Sequence, residues 1–322
     1  MKAIVLKREN TPPVYEDFKL DDKKDKAKVK LIASAINHRD LWIIKGMYAG
    51  IKYPIILGSD GIGIFEGKKV IINPGQNWGE DERVQSSKFK ILGLPDHGTF
   101  AEFVYTPKQY LYPAPDHLTD YEAAALPLGG LTAYRALFSR AKIKKNEKIL
   151  IAGIGGGVAL FAMQFALAAG LEVYVSSSSD EKIQKAVKLG ANGGINYTKK
   201  DWYKELKAIS GGVDIIVDSA AGPGFSNYLK LINPGGRIVI YGGTRGNIQD
   251  LSPQILFWKQ ISILGSTMGS DRDFSDMLLF VNKHKIKPVL DSLYNLEDFN
   301  IAIKRMEDGR QFGKIVLKNV YT

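Results

Sequence analysis

The sequence predicts an α/β protein in which an all-β unit precedes a doubly wound parallel sheet of six strands. Up to about residue 117, short β-type runs such as AIVLK, KAKVKLIASAI and TFAEFVYTP are separated by loops containing Pro, Gly and Asn, which is typical of a β unit. From about residue 118, helical patterns alternate with six apolar runs: KILIAG, EVYVSS, GINY, VDIIVDSA, GRIVIYGG and ISILGST. Alternating strands and helices indicate βαβ units, and six such strands make a complete doubly wound sheet.

The composition is that of an ordinary globular protein, and it narrows the possible chemistry. The chain has 322 residues, of which 45% are hydrophobic and 24% charged, enough apolar content for a large core. No apolar run approaches the roughly 18 residues of a membrane span, and the charged start MKAIVLKREN predicts no signal peptide. The absence of cysteine excludes disulfides, a cysteine nucleophile and thiolate metal sites, and it favours a cytoplasmic location.

The net charge of +10 raises the question of an anionic partner. The lysines are scattered along the chain, and their short clusters, such as DDKKDKAKVK, include acidic residues. We therefore expect a solvated basic surface, with neither a nucleic acid nor a membrane as partner.

A glycine-rich turn follows the first strand of the predicted parallel sheet. The run KILIA leads into Gly153, Gly155, Gly156 and Gly157, and a helical run begins directly after them. Glycine permits a tight turn and a close approach of phosphate to the backbone, and a helix N-terminus attracts a pyrophosphate. The match to GxGxxG is imperfect in both possible registers. The place of the turn after the first strand nevertheless predicts a Rossmann dinucleotide site, with Gly155, Gly156, Gly157 and Val158 against the cofactor.

Four serines end the second strand of the sheet, about twenty residues after the glycine turn. An NAD-binding site usually carries Asp or Glu there to accept from the ribose 2′-hydroxyl, whereas EVYV is followed by Ser176–Ser179. Serine hydroxyls and a lysine can bind a 2′-phosphate, so Ser177, Ser178 and Lys182 predict NADPH as cofactor. The alternative is that Ser178 or Ser179 caps the next helix, and both roles can hold together.

Seven motifs occur in an order known from one large group of enzymes. They are VIINPG, HGTFAEFVYTP, EAAALPLGGLTAYRAL, AGIGGGVALFAMQFALAAG, NPGGRIVIYGG, ILGSTMGSDRDF and RMEDGRQFGKIVL. Over essentially its whole length the chain resembles the medium-chain dehydrogenase/reductase superfamily. The resemblance implies a GroES-like catalytic domain of residues 1–117, completed by residues 287–322, and a Rossmann dinucleotide-binding domain of residues 118–286.

The chain departs from the zinc-dependent members of this superfamily at their metal-ligand positions. Those alcohol dehydrogenases have a cysteine in a segment like INHRDLW and a His-Glu pair further on, where this chain has Asn37, Ser59 and Asp60. Neither Asn nor Ser is a good zinc ligand. The cysteines of the family's structural zinc lobe are missing from NPGQNWGEDERVQSSKFKILG, and the four histidines assemble no metal set. We therefore expect no metal.

Without these zinc ligands, the chain resembles the zinc-free quinone oxidoreductases and enone or enal reductases, in which a nicotinamide supplies hydride. The resemblance predicts an NADPH-dependent reductase of quinones or α,β-unsaturated carbonyls. One alternative keeps the fold and cofactor but acts on enoyl thioesters, or on alcohols and carbonyls. Another is a non-enzymatic nucleotide- or nucleic-acid-binding protein, for which the sequence offers no recognisable nucleic-acid motif.

Position in the superfamily also suggests individual site residues. The candidate catalytic residues are Asn37 as donor to the substrate oxygen, Tyr48 or a water held by Asp60 as proton source, and Asp40 and Ser59 beside them. The further candidate cofactor residues are Thr132, Tyr197, Gly242, Ser266 and Thr267. Because relatives often form dimers, we expect a homodimer that takes a small carbonyl or quinone substrate.

Overall fold

A computed structural model describes residues 1–319 and divides the chain into two compact units. The first unit contains Met1–Leu131 and the chain from Gly269 onward, and the second contains Thr132–Met268. Within residues 1–319, no helix combines the length and the apolar content needed to cross a membrane.

The first part of the chain is mainly β structure. Its strands are β1 (Lys2–Leu6), β2 (Val14–Asp17), β3 (Ala27–Ala35), β4 (Ile55–Ile56), β5 (Asp60–Phe65), β6 (Lys68–Ile72), β7 (Gly75–Gln76), β8 (Lys90–Ile91), β9 (Phe103–Thr106) and β10 (Leu111–Pro113). Its helices are α1 (His38–Ile44), α2 (Asp120–Ala125) and α3 (Pro127–Tyr134), with a 3₁₀ helix at Lys108–Tyr110. The helical run EAAALPLGGL is divided at Pro127, which has no N–H to continue α2 and begins α3.

The middle of the chain alternates strands and helices, as predicted. A π-helical segment, Arg135–Arg140, precedes β11 (Lys148–Ile151), α4 (Gly157–Ala168), β12 (Glu172–Ser177), α5 (Asp180–Lys188), β13 (Gly193–Asn196), α6 (Trp202–Ser210), β14 (Val213–Asp218), α7 (Ser226–Leu231), β15 (Ile232–Ile240), α8 (Pro253–Trp258) and β16 (Ser262–Gly265). The parallel sheet has the order β13–β12–β11–β14–β15–β16. This order confirms the Rossmann sheet, and it brings the ends of β11 and β12 side by side.

The two strands at the centre of this sheet each contain a run of three buried apolar residues, because both faces are covered. Ile149, Leu150 and Ile151 of β11 are all fully buried, as are Ile215, Ile216 and Val217 of β14. Parallel sheets with helices on both faces require such continuous apolar runs, and the same runs predicted strands from the sequence.

The end of the chain returns to the first unit. It forms α9 (Asp271–His284), β17 (Leu290–Asn295), a 3₁₀ helix (Leu296–Asp298), α10 (Phe299–Glu307) and β18 (Lys314–Lys318). Strand β18 lies between β3 and β17 in a sheet of order β10–β6–β5–β3–β18–β17, and β9 also pairs with β3. The register aligns Ala35 with both Asp60 and Val316. The end of β3 therefore lies beside the starts of β5 and β18.

The two units divide the chain at 131/132 and 268/269, not at the predicted 117/118 and 286/287. The flanking helices are the reason, because they are attached to the first unit. Leu128 of α3 donates its N–H to Asp60 at 2.7 Å. At the other boundary, the Phe274 ring of α9 lies 4.8 Å from the Tyr112 ring.

Candidate active site

The glycine turn of the second unit leads from β11 into the N-terminus of α4, with Gly157 and Val158 as the first two helical residues. Gly153 and Gly155 have φ of 71° and 119°, which only glycine adopts without strain. Gly156 differs from them, because it caps α4 with φ −75° and ψ 152°, a conformation open to any residue. A Cβ atom on Gly156 would meet nothing within 4 Å. The free protein thus has no steric need for glycine there, whereas a phosphate approaching the helix N-terminus would need the space.

The serines at the end of β12 have different environments. Ser179 is the N-cap of α5 and accepts from the Lys182 N–H at 3.3 Å, so the predicted capping role is present. The Ser177 hydroxyl is buried and accepts from the Ser179 N–H at 3.2 Å. Ser178 is exposed. The hydroxyl best placed to meet a ligand is therefore that of Ser178.

Lys182 joins the serine cluster to the glycine turn. A Cβ atom placed on Gly155 would lie 2.8 Å from Lys182 Cδ and 3.3 Å from its Nζ. The ammonium group is thus directly over the turn that ends β11, where a dinucleotide phosphate is expected. Two acidic residues of α5 precede Lys182: Asp180 accepts from Asn196 Nδ2 at 3.1 Å, and Glu181 pairs with Lys185 at 2.6 Å.

A second cation near the predicted adenosine position was not anticipated from sequence. The Arg245 guanidinium lies 5.9 Å from the centre of the Tyr197 ring, within the range of a cation–π contact. Arg245 follows β15 and Tyr197 follows β13, so only the folded sheet brings them together. The backbone at Arg245 packs closely against Gly222, because a Cβ atom on Gly222 would lie 2.7 Å from the Arg245 carbonyl oxygen.

The other predicted cofactor residues of the second unit have mixed environments. Thr132 is buried, with its hydroxyl 3.8 Å from Met268 Sδ. Ser266 has a buried hydroxyl with no hydrogen-bond partner among residues 1–319, while Thr267 is exposed. A Cβ on Gly242 would lie 2.8 Å from the Ser219 carbonyl oxygen, so the local backbone packing already requires glycine there.

In the first unit, Asp60 is the centre of a buried polar cluster. Its Oδ2 accepts from Asn37 Nδ2 at 2.9 Å and from Lys314 Nζ at 3.0 Å, and its Oδ1 accepts from the Leu128 N–H at 2.7 Å. Lys314 Nζ also donates to Asn37 Oδ1 at 2.7 Å and to the Ile36 carbonyl at 3.1 Å. Asp60 is 0% exposed and Lys314 is 4% exposed. The carboxylate and the ammonium are therefore both fully hydrogen-bonded, as buried charges need to be.

These bonds bear directly on the predicted catalytic roles of Asn37 and Asp60. The Asn37 amide nitrogen donates to Asp60 and, at 3.4 Å, to the Ala35 carbonyl, which uses both of its N–H groups. Asp60 accepts three protein hydrogen bonds. This geometry does not support Asn37 as donor to the substrate or Asp60 as holder of a water. Both residues instead hold the buried polar cluster together.

Asp40, in the first turn of α1, is also buried in this unit. Its Oδ2 accepts from the Asn37 N–H at 2.8 Å, whereas its Oδ1 has no partner among residues 1–319. Burial raises the pKa of Asp40 to about 6, against an opposing effect of the Arg39 charge. Asp60 raises this pKa further, and Lys314 lowers it. A carboxyl with such a pKa can exchange a proton near neutral pH.

Arg39 and Ser59 form a second polar contact in the same unit. Arg39 Nη1 donates to Ser59 Oγ at 2.6 Å and to the Leu92 carbonyl at 2.9 Å. The Tyr48 ring, half-exposed, lies 5.6 Å from the guanidinium carbon. Ser59 and Tyr48 were predicted site residues and Arg39 was not, although the run His-Arg-Asp in the first turn of α1 was a visible signal.

The residues at the family's zinc-ligand positions do not fit a zinc ion. Ser59 is bonded to a guanidinium, and Asn37 and Asp60 are bonded to the Lys314 ammonium. Zinc prefers thiolate and imidazole ligands, and a lysine in direct contact with two of the three residues would repel it. Within residues 1–319, no group of three or more His, Asp or Glu side chains is arranged to hold a metal.

The raised pKa of Asp40 predicts a pH dependence of stability. Because the folded pKa, about 6, exceeds the ordinary value of 3.8, the folded state holds this proton more tightly than the unfolded state. The contribution is complete below about pH 4 and is lost as the pH rises to about 6, an effect on the order of 3 kcal/mol. In Asp40→Asn this loss should be absent when urea unfolding is measured from pH 4 to 7. The exposed replacement Asp250→Asn is the control, and parallel curves for wild type and Asp40→Asn would contradict the prediction.

Comparisons with known proteins agree with the fold. Two family models match: "Alcohol dehydrogenase GroES-like domain" over residues 23–116 and "Zinc-binding dehydrogenase" over residues 157–283. The chain is 32% identical over 303 residues to the quinone oxidoreductase of Rattus norvegicus, covering 90% of this chain and 88% of the relative. It is 30% identical over 342 residues to the acryloyl-coenzyme A reductase of Sulfurisphaera tokodaii, covering 99% and 100%.

A solved structure is similar over the whole chain. The crystal structure of an NAD-dependent alcohol dehydrogenase, 34% identical in sequence, has a TM-score of 0.92, with 99% of each chain covered. The fold, the glycine turn and the family matches together show that the chain belongs to the medium-chain dehydrogenase/reductase superfamily and is an oxidoreductase.

Proposed function

We propose that the chain is an NADPH-dependent reductase that delivers hydride to quinones or α,β-unsaturated carbonyls without a metal. The observation that carries this is the Asn37–Asp60–Lys314 cluster, in which a protein cation contacts two of the three residues at the family's zinc-ligand positions. In a zinc-dependent oxidation of a simple alcohol, the metal is a Lewis acid that stabilises the alkoxide. Reduction of a conjugated carbonyl can proceed without a metal, because the developing charge spreads onto an oxygen that hydrogen-bond donors can stabilise.

The cofactor assignment rests on this chain's own residues. A bound nicotinamide would supply the hydride, and the N-terminus of α4 with Gly156 would receive the pyrophosphate. Ser178 and Lys182 would bind the 2′-phosphate, because the end of β12 has hydroxyls where a carboxylate would repel it. Arg245 beside Tyr197 adds a second cation within the same unit. The similar crystal structure is titled as NAD-dependent, so this preference comes from Ser178 and Lys182 rather than from the comparisons.

A second candidate substrate is an enoyl thioester. The relative named acryloyl-coenzyme A reductase, matched over its full length, favours it. The chemistry is the same hydride addition to a conjugated carbonyl, so the two candidates differ in the group attached to that carbonyl.

We further propose that the enzyme is a homodimer and acts in the cytoplasm.

The test is a substrate screen on protein dialysed against a strong chelator. We expect NADPH oxidation with a quinone, an enone or an enoyl thioester, at a rate that chelation and added Zn²⁺ leave unchanged. With NADP⁺ and simple alcohols, turnover should be slower by at least about 100-fold, since one strong electrostatic catalyst is worth that much. Alcohol oxidation that depends on Zn²⁺ would overturn the proposal, as would the absence of turnover with all three reducible substrates.

A further inference from the structure

Arg39 is a buried cation whose donors are only partly used. It is 7% exposed, and two hydrogen bonds, to Ser59 and to the Leu92 carbonyl, are both made by Nη1. Nε is buried and has no partner among residues 1–319. Nη2 likewise donates to none of those residues, and it is the guanidinium nitrogen that remains open to solvent. Burying a guanidinium with unused donors is unfavourable, so this arrangement calls for an explanation.

The surrounding backbone fixes the position of the guanidinium. A Cβ on Gly93 would lie 3.3 Å from Arg39 Nη1 and 2.5 Å from the Gly58 carbonyl oxygen. A Cβ on Gly98 would lie 2.0 Å from that same oxygen. The segments that carry Ser59 and Leu92 therefore pack backbone to backbone, and glycine is required for it. The Tyr48 ring faces the guanidinium from a distance of 5.6 Å, which leaves Arg39 little freedom to turn away.

The two cations of this unit are not equivalent. Lys314 uses its three N–H groups on Ile36, Asn37 and Asp60, so it has none left for a ligand. Arg39 holds five N–H groups, of which those on Nε and Nη2 have no partner in the described part of the chain. Lys314 is thus a structural cation, whereas Arg39 can still donate. Arg39 also contacts Ser59, one of the residues at the family's zinc-ligand positions.

We propose that Arg39 is the electrophilic group of this oxidoreductase, with Nη2 donating to the carbonyl oxygen of the substrate. The inference rests on the proposed function. A bound dihydronicotinamide would supply the hydride for the new C–H bond and be oxidised, and the displaced electron pair would move onto the carbonyl oxygen. Arg39 stabilises the resulting enolate or phenolate oxyanion, and a proton then completes the reduced product. A fixed guanidinium suits this task, because it is always charged and donates in one plane.

The substrate class follows from this chemistry. The ligand should present a carbonyl or phenolic oxygen on a planar, conjugated framework, in which charge arriving at a distant carbon reaches that oxygen. A simple alcohol has no such oxygen to stabilise before it loses its proton.

The test uses 4-nitrophenolate, a probe for the oxyanion that needs no turnover. Protein is titrated into the probe at a pH where the free phenol is half ionised, and absorbance reports the bound phenolate fraction. We expect the wild-type protein to bind the phenolate and increase its ionised fraction. Arg39→Gln should bind it about 10–100-fold more weakly, as expected for a lost hydrogen bond to a charged group, without raising ionisation. Arg237→Gln, which removes an arginine paired with Glu147 in the second unit, is the control and should behave like wild type.

Kinetics with an enone or quinone give an independent measurement. Arg39→Gln should lower kcat by about 10²–10³-fold, the usual cost of one oxyanion donor, while the dissociation constant for NADPH stays unchanged. If Arg39→Gln does not fold, Arg39→Lys keeps the charge but not the planar donors, and Ser59→Ala removes the anchor of Nη1. Both should lower kcat and the ionisation of the bound probe.

The outcomes separate this inference from the proposed function. Equal probe ionisation in wild type and in folded Arg39 or Ser59 variants would overturn the role of Arg39, even if the enzyme reduces enones. Loss of probe binding in the Arg39 variants would support it, even if the substrate screen failed and the reductase proposal had to be abandoned.

Discussion

Replacing Lys314 with methionine should lower the free energy of unfolding by about 3–5 kcal/mol, the cost of leaving a buried charge without its partner. Asp60 is fully buried, and its contact with Lys314 is an ion pair between groups that are 0% and 4% exposed in their side chains. Methionine fills a similar volume but removes three hydrogen bonds, to Ile36, Asn37 and Asp60. Urea unfolding at pH 7, with thermal unfolding as a check, measures the loss.

The double variant Lys314→Met/Asp60→Asn is the matched control for this prediction. It removes both charges and keeps the Oδ1 acceptor for the Leu128 N–H, so it should regain a substantial part of the lost stability. A cost below about 1 kcal/mol for Lys314→Met, the range of an exposed pair, would mean that the ammonium does not hold the cluster together.

Replacing Gly156 with valine should weaken dinucleotide binding by at least about 100-fold, or about 3 kcal/mol, with little change in the stability of the free protein. Gly156 has an ordinary φ and nothing within 4 Å of a Cβ. A side chain therefore fits the free protein, at an N-cap cost of about 1 kcal/mol or less. The same side chain would occupy the space that a pyrophosphate needs at the N-terminus of α4.

Two neighbouring substitutions sharpen the test of Gly156. Gly156→Ala should show a smaller loss of binding than Gly156→Val, because the obstruction grows with the side chain. Gly155→Ala should instead destabilise the free protein by about 1–3 kcal/mol, since its φ of 119° is strained for any other residue. If Gly156→Val bound NADPH and NADH as tightly as wild type, the dinucleotide would not lie against this turn.

The second unit could be predicted closely because its signals are local. Each central strand is a short apolar run, each helix follows within a few residues, and the glycine turn marks where the first strand ends. The helix-capping role of a serine at the start of α5 could also be predicted, because acidic residues follow Ser179. What could not be predicted was the contact between Tyr197 and Arg245, since their elements are separated in sequence and meet only across the sheet.

The first unit was less predictable because its site is built from distant segments. Asp60 and Lys314 are 254 positions apart, and Arg39 reaches Leu92 across 53 positions. A lysine at the start of an apolar strand is ordinary as sequence, and its role appears only when β18 lies beside β3. The same long-range packing attached α3 and α9 to the β unit, which moved the domain boundaries away from the change in local pattern.

The central claim is that the turn after β11 and the end of β12 form an NADPH site in a protein that needs no metal. Paired titrations of chelator-treated protein with NADPH and with NADH, on wild type and on Lys182→Ala, test it most directly. We predict that NADPH binds more tightly than NADH by about 10–150-fold, as expected for charge-assisted hydrogen bonds to the 2′-phosphate, and that Lys182→Ala removes most of this difference. Equal or tighter binding of NADH by the wild-type protein would contradict the account and leave the serines with only their capping role.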